Sequence, residues 1–275
     1  MSPGNNPGST LKNILIIRED RIGDVVLTIP LAGFIKAQYP DARVTFLVRE
    51  YTKPIVEMSA MVDEVLTTEE IGADRSVWRG IAGLRKRKFD AAILVYPTFR
   101  TSFMLAASFI GIRVGTAYRW YSFLLNRRVP LRRKNGTKHE LEHNAALLAG
   151  IGITEIDFAK ENLYGISVDG RHGKNQTDKP LVILHPGSGG SAVDTGAEKF
   201  RELAMKLTES GTVCVAVTGS GKEKELCARV ADGLPVQNYA GELDLLGLAD
   251  LIAKSSVFVA NSTGPLHIAA ALGKY

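Results

Sequence analysis

Short runs of aliphatic and β-branched residues alternate with amphipathic segments along most of the chain, and this alternation constrains the fold more than any other feature. In the first half it predicts strands at residues 13–18, 43–48, 62–66, 91–95 and 113–115. It also predicts helices at residues 24–38, 53–59, 77–86, 101–109 and 140–150. Strands that alternate with helices form βα units, so the sequence predicts an α/β fold with parallel sheets.

A polar, glycine-containing stretch, "VDGRHGKNQTDKP", interrupts the pattern and predicts a linker. The pattern then resumes with strands at 181–185, 212–218, 236–239 and 257–260 and helices at 197–209, 222–232, 245–254 and 265–272. We therefore predict a disordered tail at 1–10, a Rossmann-like, doubly wound domain at 11–165, a linker at 166–180 and a second such domain at 181–275. Ligands of these folds bind at the carboxyl ends of the strands, so we expect a cleft between two facing domains.

The composition, with 45% hydrophobic and 23% charged residues, is that of an ordinary globular protein. The longest apolar run, residues 103–112, is half of the roughly 20 residues that a membrane span needs. The N-terminal residues lack the apolar core of a signal peptide, so we expect a cytoplasmic protein. The two cysteines, Cys214 and Cys227, have no companion at metal-ligand spacing, and we predict buried free thiols.

The net charge of +5 is unevenly distributed. Residues 1–165 carry 23 Lys and Arg against 17 Asp and Glu, whereas residues 166–275 carry 11 against 12. The first half should therefore attract an anionic partner. The basic stretch "NRRVPLRRKNGTKH", with Arg127, Arg128, Arg132, Arg133 and Lys134, suits an anionic, phosphate-bearing partner, although a solvated surface loop is an equally good interpretation.

The stretch "LIIREDRIGDVVLTIP" places a cluster of charges between an apolar strand and an apolar helix. Asp24 begins the predicted helix at the carboxyl end of the first strand, where a carboxylate favours the helix dipole and can also act as a general base. Gly23 would allow another molecule to come close. We predict that Asp24 is catalytic and that Arg18, Arg21 and Gly23 contact the acceptor.

Two motifs in the second half suit an anionic ligand. "LVILHPGSGGSA" contains Gly187, Gly189 and Ala192 in the pattern G-x-G-x-x-A, but the next strand lacks the acidic residue of a dinucleotide site. A loop whose N–H groups approach an anion remains possible, and so does a plain turn.

The other motif is "VFVANSTGPLHIAAALG", in which Pro265 begins a helix of small residues after an apolar strand. The N–H groups of this helix start, the Thr263 hydroxyl and His267 suit a pyrophosphate. A capped helix with a hydrogen-bonded histidine is the alternative.

The segment "HELEH" fits the H-E-x-x-H pattern of zinc proteases, but no third ligand follows at a suitable spacing. We therefore predict that His139 and His143 hold no zinc. "VTGSGKEKE" is not a P-loop, because Ala216 replaces its first glycine and Glu223 replaces its Ser or Thr.

Together, "ILIIREDRIGDVVLTIPLAGFIKAQYPDARVTFLV", "VILHPGSGGSA", "AEKFRELA" and "ANSTGPLHIAAALG" resemble glycosyltransferase family 9, typified by the lipopolysaccharide heptosyltransferases. The resemblance runs from about Leu11 to the last residue. It implies a GT-B fold with an N-terminal acceptor domain, a C-terminal nucleotide-sugar domain and an inverting transfer that uses no metal.

By this resemblance Asp24 is the base that deprotonates the acceptor hydroxyl. The residues implied for the nucleotide-sugar donor are Ser188, Gly189, Gly190, Glu225, Thr263, Gly264 and His267. The implied partners are a nucleotide sugar such as ADP-heptose and an anionic glycolipid of the lipopolysaccharide core or lipid A type at the inner membrane surface, with peripheral attachment there and no nucleic acid.

Three departures from the family pattern matter. Val193 stands where the family often has a lysine, so weak donor affinity is expected, and Ser262 stands where an aspartate is often found. The family also continues beyond "AAALG" with more strands and a helix, which predicts an incomplete second domain. The alternative to an enzyme is therefore a non-catalytic, nucleotide-sugar-binding remnant of one.

Overall fold

The computed structural model describes residues 11–131, 138–159, 162–168, 179–190 and 195–274. The chain divides into two compact units, Met1–Gly165 and Ile166–Tyr275, which we call unit 1 and unit 2. Each unit contains a parallel β-sheet covered by helices. Among the described residues, no helix combines the length and the apolar character needed to cross a membrane.

The sheet of unit 1 has six parallel strands in the order β3-β2-β1-β4-β5-β6. The strands are β1 (Asn13–Ile17), β2 (Arg43–Val48), β3 (Glu64–Thr67), β4 (Ala91–Leu94), β5 (Ile112–Thr116) and β6 (Arg127–Val129). The helices are α1 (Ile22–Val26), α2 (Pro30–Gln38), α3 (Lys53–Glu57), α4 (Val77–Arg87), α5 (Phe99–Ala107) and α6 (Glu140–Ala146).

The central strand of this sheet is β1, which pairs with β2 on one side and β4 on the other. Its four residues from Ile14 to Ile17 are completely buried, as expected for a strand with helices over both faces. Leu15 and Ile17 join the apolar core beneath α4 and α5. The uninterrupted apolar run in the sequence therefore identifies the middle of the sheet.

The prediction of one long helix at residues 24–38 is wrong, because the segment forms two helices, α1 and α2. Pro30 has no N–H to continue the first helix and instead occupies the first position of the second. The N–H of Thr28 bonds the Val25 carbonyl and that of Ile29 bonds the Val26 carbonyl, so the backbone tightens before Pro30.

Strand β6 was not predicted, because it lies within the basic stretch that we interpreted as a loop. It pairs in parallel with β5 at the edge of the sheet, with Val114 opposite Arg127. Arg127 and Arg128 are exposed, so the strand lacks the apolar alternation by which strands are recognised. Arg132, Arg133 and Lys134 lie outside the described residues.

Unit 2 has a four-stranded parallel sheet in the order β10-β7-β8-β9. Its strands are β7 (Leu181–His185), β8 (Cys214–Val217), β9 (Gln237–Asn238) and β10 (Val257–Ala260), and its helices are α7 (Ala197–Glu209), α8 (Lys224–Ala231), α9 (Leu245–Lys254) and α10 (Gly264–Ala271). The predicted bounds of β7, β10, α7 and α9 are confirmed to the residue. A short 3-10 turn, Gly221–Glu223, precedes α8 and occupies the first residues of the helix predicted at 222–232. Of the cysteines, Cys227 is buried and Cys214 is partly exposed.

Close packing between β5 and the 3-10 helix Leu147–Ile151 generates a stability prediction. A Cβ added at Gly150 would lie 2.8 Å from Val114 Cγ2, and the β-branched valine has little freedom to move away. We expect Gly150→Ala to lower the free energy of unfolding by about 1–3 kcal/mol, because overpacking strains both elements.

The matched control is Gly111→Ala, whose Cβ would meet the Asp90 carbonyl oxygen at an ordinary 3.5 Å. This control should change stability by less than about 0.5 kcal/mol. Thermal unfolding followed by tryptophan fluorescence reports on unit 1, since both tryptophans, Trp78 and Trp120, lie there. Equal melting temperatures for the two variants would contradict the packing described.

Candidate functional site

In unit 1, β1 ends at Ile17 and a charged loop follows. Its first residue, Arg18, is the largest of the almost completely buried side chains among the described residues. Its Nε donates to Asp20 Oδ1 at 2.6 Å, and its Nη2 lies 2.8 Å from Asp24 Oδ1. Its Nη1 reaches Glu140 Oε1, at the start of α6, at 3.1 Å. One guanidinium therefore holds three carboxylates that come from three different parts of the chain.

The charge of Arg18 is stabilised where it lies. Burial lowers the pKa of Arg18, but the hydrogen bond and charge of Asp20 and the charges of Asp24 and Glu140 together raise it. A buried charge is tolerated only when it is paired and hydrogen-bonded in this way. The guanidinium therefore remains protonated.

Asn144 connects this ion cluster to the backbone that follows α1. Its Oδ1 accepts from Arg18 Nη1 at 3.3 Å, and its Nδ2 donates to the Leu27 carbonyl at 3.2 Å and to Thr28 Oγ1 at 3.3 Å. Asn144 is completely buried. Helix α1 is thus linked to α6 at both ends, through Arg18 at its first turn and through Asn144 just after its last residue.

The acceptor contact predicted for Arg18 does not fit this position, since only 2% of its side chain is exposed. Arg18 instead orients Asp24. This burial could not be predicted from the sequence, because a run of four charged residues is usually solvated. Arg21, by contrast, is exposed at the N-cap of α1.

Gly23 also differs from its predicted role. Helix α1 begins at Ile22 rather than at Asp24, so Gly23 lies inside the helix and is buried. Its carbonyl accepts from the Leu27 N–H at 3.0 Å. Its burial inside the helix therefore does not fit the predicted contact with another molecule.

Asp24 has the properties of a proton acceptor. It lies in the first turn of α1, and 35% of its side chain is exposed although Oδ1 is held by Arg18. The helix start favours its negative charge. A carboxylate that is fixed on one side and open on the other can receive a proton from a bound hydroxyl.

The two remaining acids of the loop have different partners, since Asp20 contacts Arg18 and Glu19 contacts Thr101. Glu19 accepts a hydrogen bond from Thr101 Oγ1 at 2.9 Å, at the start of α5, and burial raises its pKa. Burial also raises the pKa of Asp20, against the opposing hydrogen bond from Arg18. Asp24 is the most exposed of the three carboxylates that contact Arg18.

In unit 2 the glycine loop, residues 187–190, follows β7 at the carboxyl edge of the sheet. Gly189 and Gly190 have φ angles of +56° and +75°, a left-handed conformation that glycine adopts at little cost. Ser188 is buried, and its Oγ accepts from the Gly190 N–H at 3.2 Å. No heavy atom of the described residues would lie within 4 Å of a Cβ at either glycine, so these residues leave this side of the loop uncovered.

Glu223 lies directly against this loop. Its Oε1 accepts from the Gly189 N–H at 3.1 Å, and its Oε2 accepts from the Ser220 N–H and hydroxyl at 2.7 Å each. Burial raises the pKa of Glu223, but the hydrogen bonds from Ser220 and Gly189 outweigh this effect and lower it. The glycine loop therefore contacts an ionised carboxylate.

Glu225, the acid predicted for this site, is exposed two residues further along, in the first turn of α8. The sequence analysis missed Glu223. The signal that could have identified it is the spacing of Ser220 and Glu223, which form a capping box at the start of the helical segment.

The N-terminus of α10 lies at the same edge of the unit 2 sheet as the glycine loop, because β10 neighbours β7. Thr263 is its N-cap, and Thr263 Oγ1 is buried without a hydrogen-bond partner among the described residues. An unsatisfied buried hydroxyl needs an explanation, and a bound ligand would supply one. His267 is partly buried in the fourth position of the helix, which begins at Gly264 with Pro265 next to it.

Asn261 links the segment before α10 to the segments before and after the glycine loop. Its Nδ2 donates to the Pro186 carbonyl at 2.6 Å, and its Oδ1 accepts from the Thr195 N–H at 3.2 Å and hydroxyl at 2.7 Å. Because β10 and β7 are neighbours, these contacts bring the start of α10 next to the glycine loop. Val193, which replaces the expected lysine, lies outside the described residues, so its effect stays a prediction.

The "HELEH" segment has a structural function. His139 is the N-cap of α6 and accepts from the Leu141 N–H, while Glu142 accepts from the His139 N–H at 2.7 Å. His143 is buried. Within the described ranges, no cluster of three His, Cys, Asp or Glu could hold a metal ion, and the absence of zinc stays a prediction.

The ion cluster around Arg18 predicts a large difference between two arginines of the same loop. Arg18→Gln leaves partly buried carboxylates without their cation, and we expect a loss of about 2–4 kcal/mol in the free energy of unfolding. Arg21→Gln, at the exposed N-cap, should change stability by less than about 0.5 kcal/mol. Urea unfolding of both variants measures this, and a stable Arg18→Gln protein would refute the central position of Arg18.

Comparison with known proteins identifies related sequences. The family model described as "Glycosyltransferase family 9 (heptosyltransferase)" matches residues 77–275. The lipopolysaccharide heptosyltransferase 2 of Escherichia coli is 26% identical over 287 residues, which cover 95% of this chain and 80% of that protein. The lipooligosaccharide heptosyltransferase 2 of Haemophilus ducreyi is 26% identical over 283 residues, with coverage of 95% and 80%.

Solved structures show the same fold. The E. coli ADP-heptose lipopolysaccharide heptosyltransferase II has a TM-score of 0.77 at 22% identity, covering 95% of this chain and 82% of that one. The E. coli heptosyltransferase WaaC with ADP has a TM-score of 0.76 at 21% identity, covering 95% and 85%. The predicted α/β, GT-B fold is confirmed by these similarities.

Proposed function

Since the chain belongs to glycosyltransferase family 9 and is a glycosyltransferase, we propose that it transfers a heptose from ADP-heptose to a hydroxyl of a lipopolysaccharide core or lipid A-type acceptor. The observation that carries this proposal is the Asp24 carboxylate, which Arg18 holds at 2.8 Å while a third of the side chain stays exposed. The heptose and the acceptor are proposed from the names of relatives such as the E. coli lipopolysaccharide heptosyltransferase 2.

In the proposed reaction, Asp24 accepts the proton of the acceptor hydroxyl as the oxygen attacks the anomeric carbon of the donor. The bond from that carbon to the diphosphate breaks, and the configuration inverts. Arg18 keeps the carboxylate in one orientation, which avoids a reorientation cost during the reaction. Arg18 is thus a positioning residue, and Asp24 is the catalytic one.

Unit 2 would hold the donor. The N-terminus of α10 provides partial positive charge for the departing nucleoside diphosphate, and the side of the glycine loop that the described residues leave uncovered gives it room to approach. Thr263 Oγ1, buried without a partner among the described residues, would donate to a phosphate oxygen. We propose that these backbone groups, with His267 at the same helix, take the place of a metal ion in binding the diphosphate.

Glu223 has a different proposed role, because an ionised carboxylate repels phosphate. A carboxylate beside the glycine loop of a nucleotide-binding α/β domain accepts hydrogen bonds from ribose hydroxyls. The Glu223 carboxylate already accepts three hydrogen bonds, from the Gly189 N–H and from the Ser220 N–H and hydroxyl. They keep the carboxylate in place with capacity for one further hydroxyl.

The reaction would occur at the cytoplasmic face of the inner membrane, with the protein attached peripherally. The net positive charge of residues 1–165 supports an anionic acceptor on the side of unit 1.

The role of Asp24 can be tested with a change that preserves its shape. Asp24→Asn keeps the size of the side chain but cannot accept a proton at neutral pH. We expect turnover of labelled ADP-heptose with a lipid A precursor to fall by about 100-fold or more. The free energy of unfolding should fall by about 1 kcal/mol or less, because Arg18 keeps its other partners and Asp24 is partly solvated.

Asp20→Asn is the matched control, since Asp20 also pairs with Arg18, at 2.6 Å. It should disturb the ion cluster at least as much as Asp24→Asn and yet retain most of the turnover. If both variants lose activity equally, the ion cluster matters but Asp24 is not the base. Near-normal turnover of Asp24→Asn would reject the catalytic assignment outright.

The donor site can be tested with two glutamates separated by one residue. Glu223→Gln removes a charged acceptor at the glycine loop, so we expect ADP to bind about tenfold more weakly in calorimetry. Glu225→Gln, on the exposed surface of α8, should bind ADP like the wild type. Tighter ADP binding by Glu223→Gln would show instead that the carboxylate competes with phosphate for the Gly189 N–H.

A further inference from the structure

Residues 75–131 of unit 1 are unusual in both charge and aromatic content. They contain eleven Lys and Arg against a single acid, Asp90. They also contain both tryptophans and ten of the twenty Phe, Tyr and Trp of the chain. The mechanism proposed above uses none of these residues.

Five of the rings form a continuous series across α4, α5 and the loop after β5, which we call the aromatic ladder. Trp78 packs edge-on to Phe103, with 6.2 Å between ring centroids, and Phe103 stacks with Phe99 at 6.3 Å. Phe99 stacks with Trp120 at 5.1 Å, and Trp120 meets Tyr121 edge-on at 5.4 Å. The ladder therefore joins three separate elements into one surface.

Three of the five rings are open to solvent. Trp78 is 71% exposed, Trp120 is 74% exposed and Phe99 is 46% exposed, whereas Phe103 is partly buried and Tyr121 is buried. Phe123, two residues after Tyr121, is 67% exposed. Single exposed apolar residues are common, but a contiguous group of large aromatic rings marks an interaction site.

Exposed arginines adjoin the ladder in the sequence. Arg79 follows Trp78 and Arg119 precedes Trp120, and both arginines are exposed. At the other end of α4 and α5, the Arg85 guanidinium lies 4.5 Å from the centroid of the Phe109 ring, which is 78% exposed. The exposed arginines of β6, Arg127 and Arg128, follow the ladder in the chain.

The ladder begins at the same edge of the sheet as Asp24. Helix α5 starts after the carboxyl end of β4, and the Trp120 loop starts after the carboxyl end of β5. Thr101 of α5 donates to Glu19 at 2.9 Å, and the Arg18 guanidinium lies 5.9 Å from the Tyr96 ring. These contacts connect the charged loop that carries Asp24 to the start of the aromatic surface.

We propose that the aromatic ladder and its surrounding arginines dock unit 1 onto the surface of an anionic phospholipid bilayer. Tryptophan and other amphipathic rings prefer the headgroup level of a bilayer, and each arginine near an anionic surface adds to the attraction. The use of this surface to reach a lipid-linked acceptor rests on the proposed function, whereas bilayer binding does not.

A single-stranded nucleic acid is the other anionic partner that combines arginines with aromatic rings. Such sites offer open ring faces on which bases stack. Here the faces of Phe99 are occupied by Phe103 and Trp120, and the Arg85 guanidinium lies over Phe109. The arrangement therefore favours a bilayer, into which ring edges and partly stacked rings insert.

The position of the tryptophans provides a direct test on the intact chain. Since Trp78 and Trp120 are the only tryptophans, their fluorescence reports on the ladder alone. We expect co-sedimentation with vesicles of phosphatidylcholine and phosphatidylglycerol in equal parts, with a blue shift of the emission and quenching by brominated lipid. Vesicles of phosphatidylcholine alone should bind far more weakly.

Two double variants separate the contributions. The double variant Arg79→Gln with Arg119→Gln should bind vesicles about 30-fold more weakly. The reason is that each arginine near an anionic surface raises the binding constant about fivefold. Trp78→Ala with Trp120→Ala should weaken it by about tenfold or more, because inserted apolar area is lost.

The matched controls lie in unit 2. Lys199→Gln with Lys206→Gln removes the same charge from α7, and Met205→Ala with Leu246→Ala removes exposed apolar side chains. Neither control should change vesicle binding by more than about twofold.

Three results would overturn the proposal. The first is failure to bind anionic vesicles, and the second is binding without a blue shift, which would assign the contact to another surface. The third is preferential binding of a single-stranded oligonucleotide with quenching of both tryptophans. Because no readout involves sugar transfer, an inactive Asp24→Asn variant should bind vesicles normally, and failure of the proposed reaction would leave this result unaffected.

Discussion

The buried Arg18 guanidinium is the interaction on which the structure of unit 1 around Asp24 depends. A charge at the end of the central strand is costly to bury, and it is stable only because three carboxylates and the Asn144 amide surround it. The same contacts determine the position of α1 and α6. Arg18 therefore couples the stability of unit 1 to the orientation of Asp24.

The candidate site of unit 2 is built mainly from backbone groups rather than from a buried ion cluster. The start of α10 presents backbone N–H groups, whereas the Gly189 and Gly190 N–H groups of the glycine loop already donate to Glu223 and Ser188, and Glu223 is itself held by three hydrogen bonds. A site made of backbone dipoles binds an anion with little rearrangement. The two units thus offer complementary chemistry, with a fixed carboxylate in one and fixed positive potential in the other.

Much of the fold could be predicted from the sequence, because the central strands β1 and β7 are buried on both faces and appear as apolar runs. The secondary-structure predictions failed where tertiary contacts, rather than the local pattern of residues, determine the structure. Pro30 divides an otherwise helical apolar pattern, and β6 is a short, exposed edge strand whose pairing with β5 leaves no trace in its composition. At the site, Asp24 and the glycine loop were found from motifs, whereas the burial of Arg18 depends on Glu140, 122 residues away. Glu223 was missed because it lies in the segment after β8. Its contact with Gly189, which follows β7, forms only when the two strands pair.

The measurement that tests the central claim most directly is a crystal structure of the protein with an acceptor analogue bound. The account predicts that the reacting hydroxyl lies within about 3.2 Å of a carboxylate oxygen of Asp24, with Arg18 still bound to Oδ1. An acceptor hydroxyl that instead contacts Glu19 or Asp20, or an Asp24 side chain turned away from the bound molecule, would contradict it.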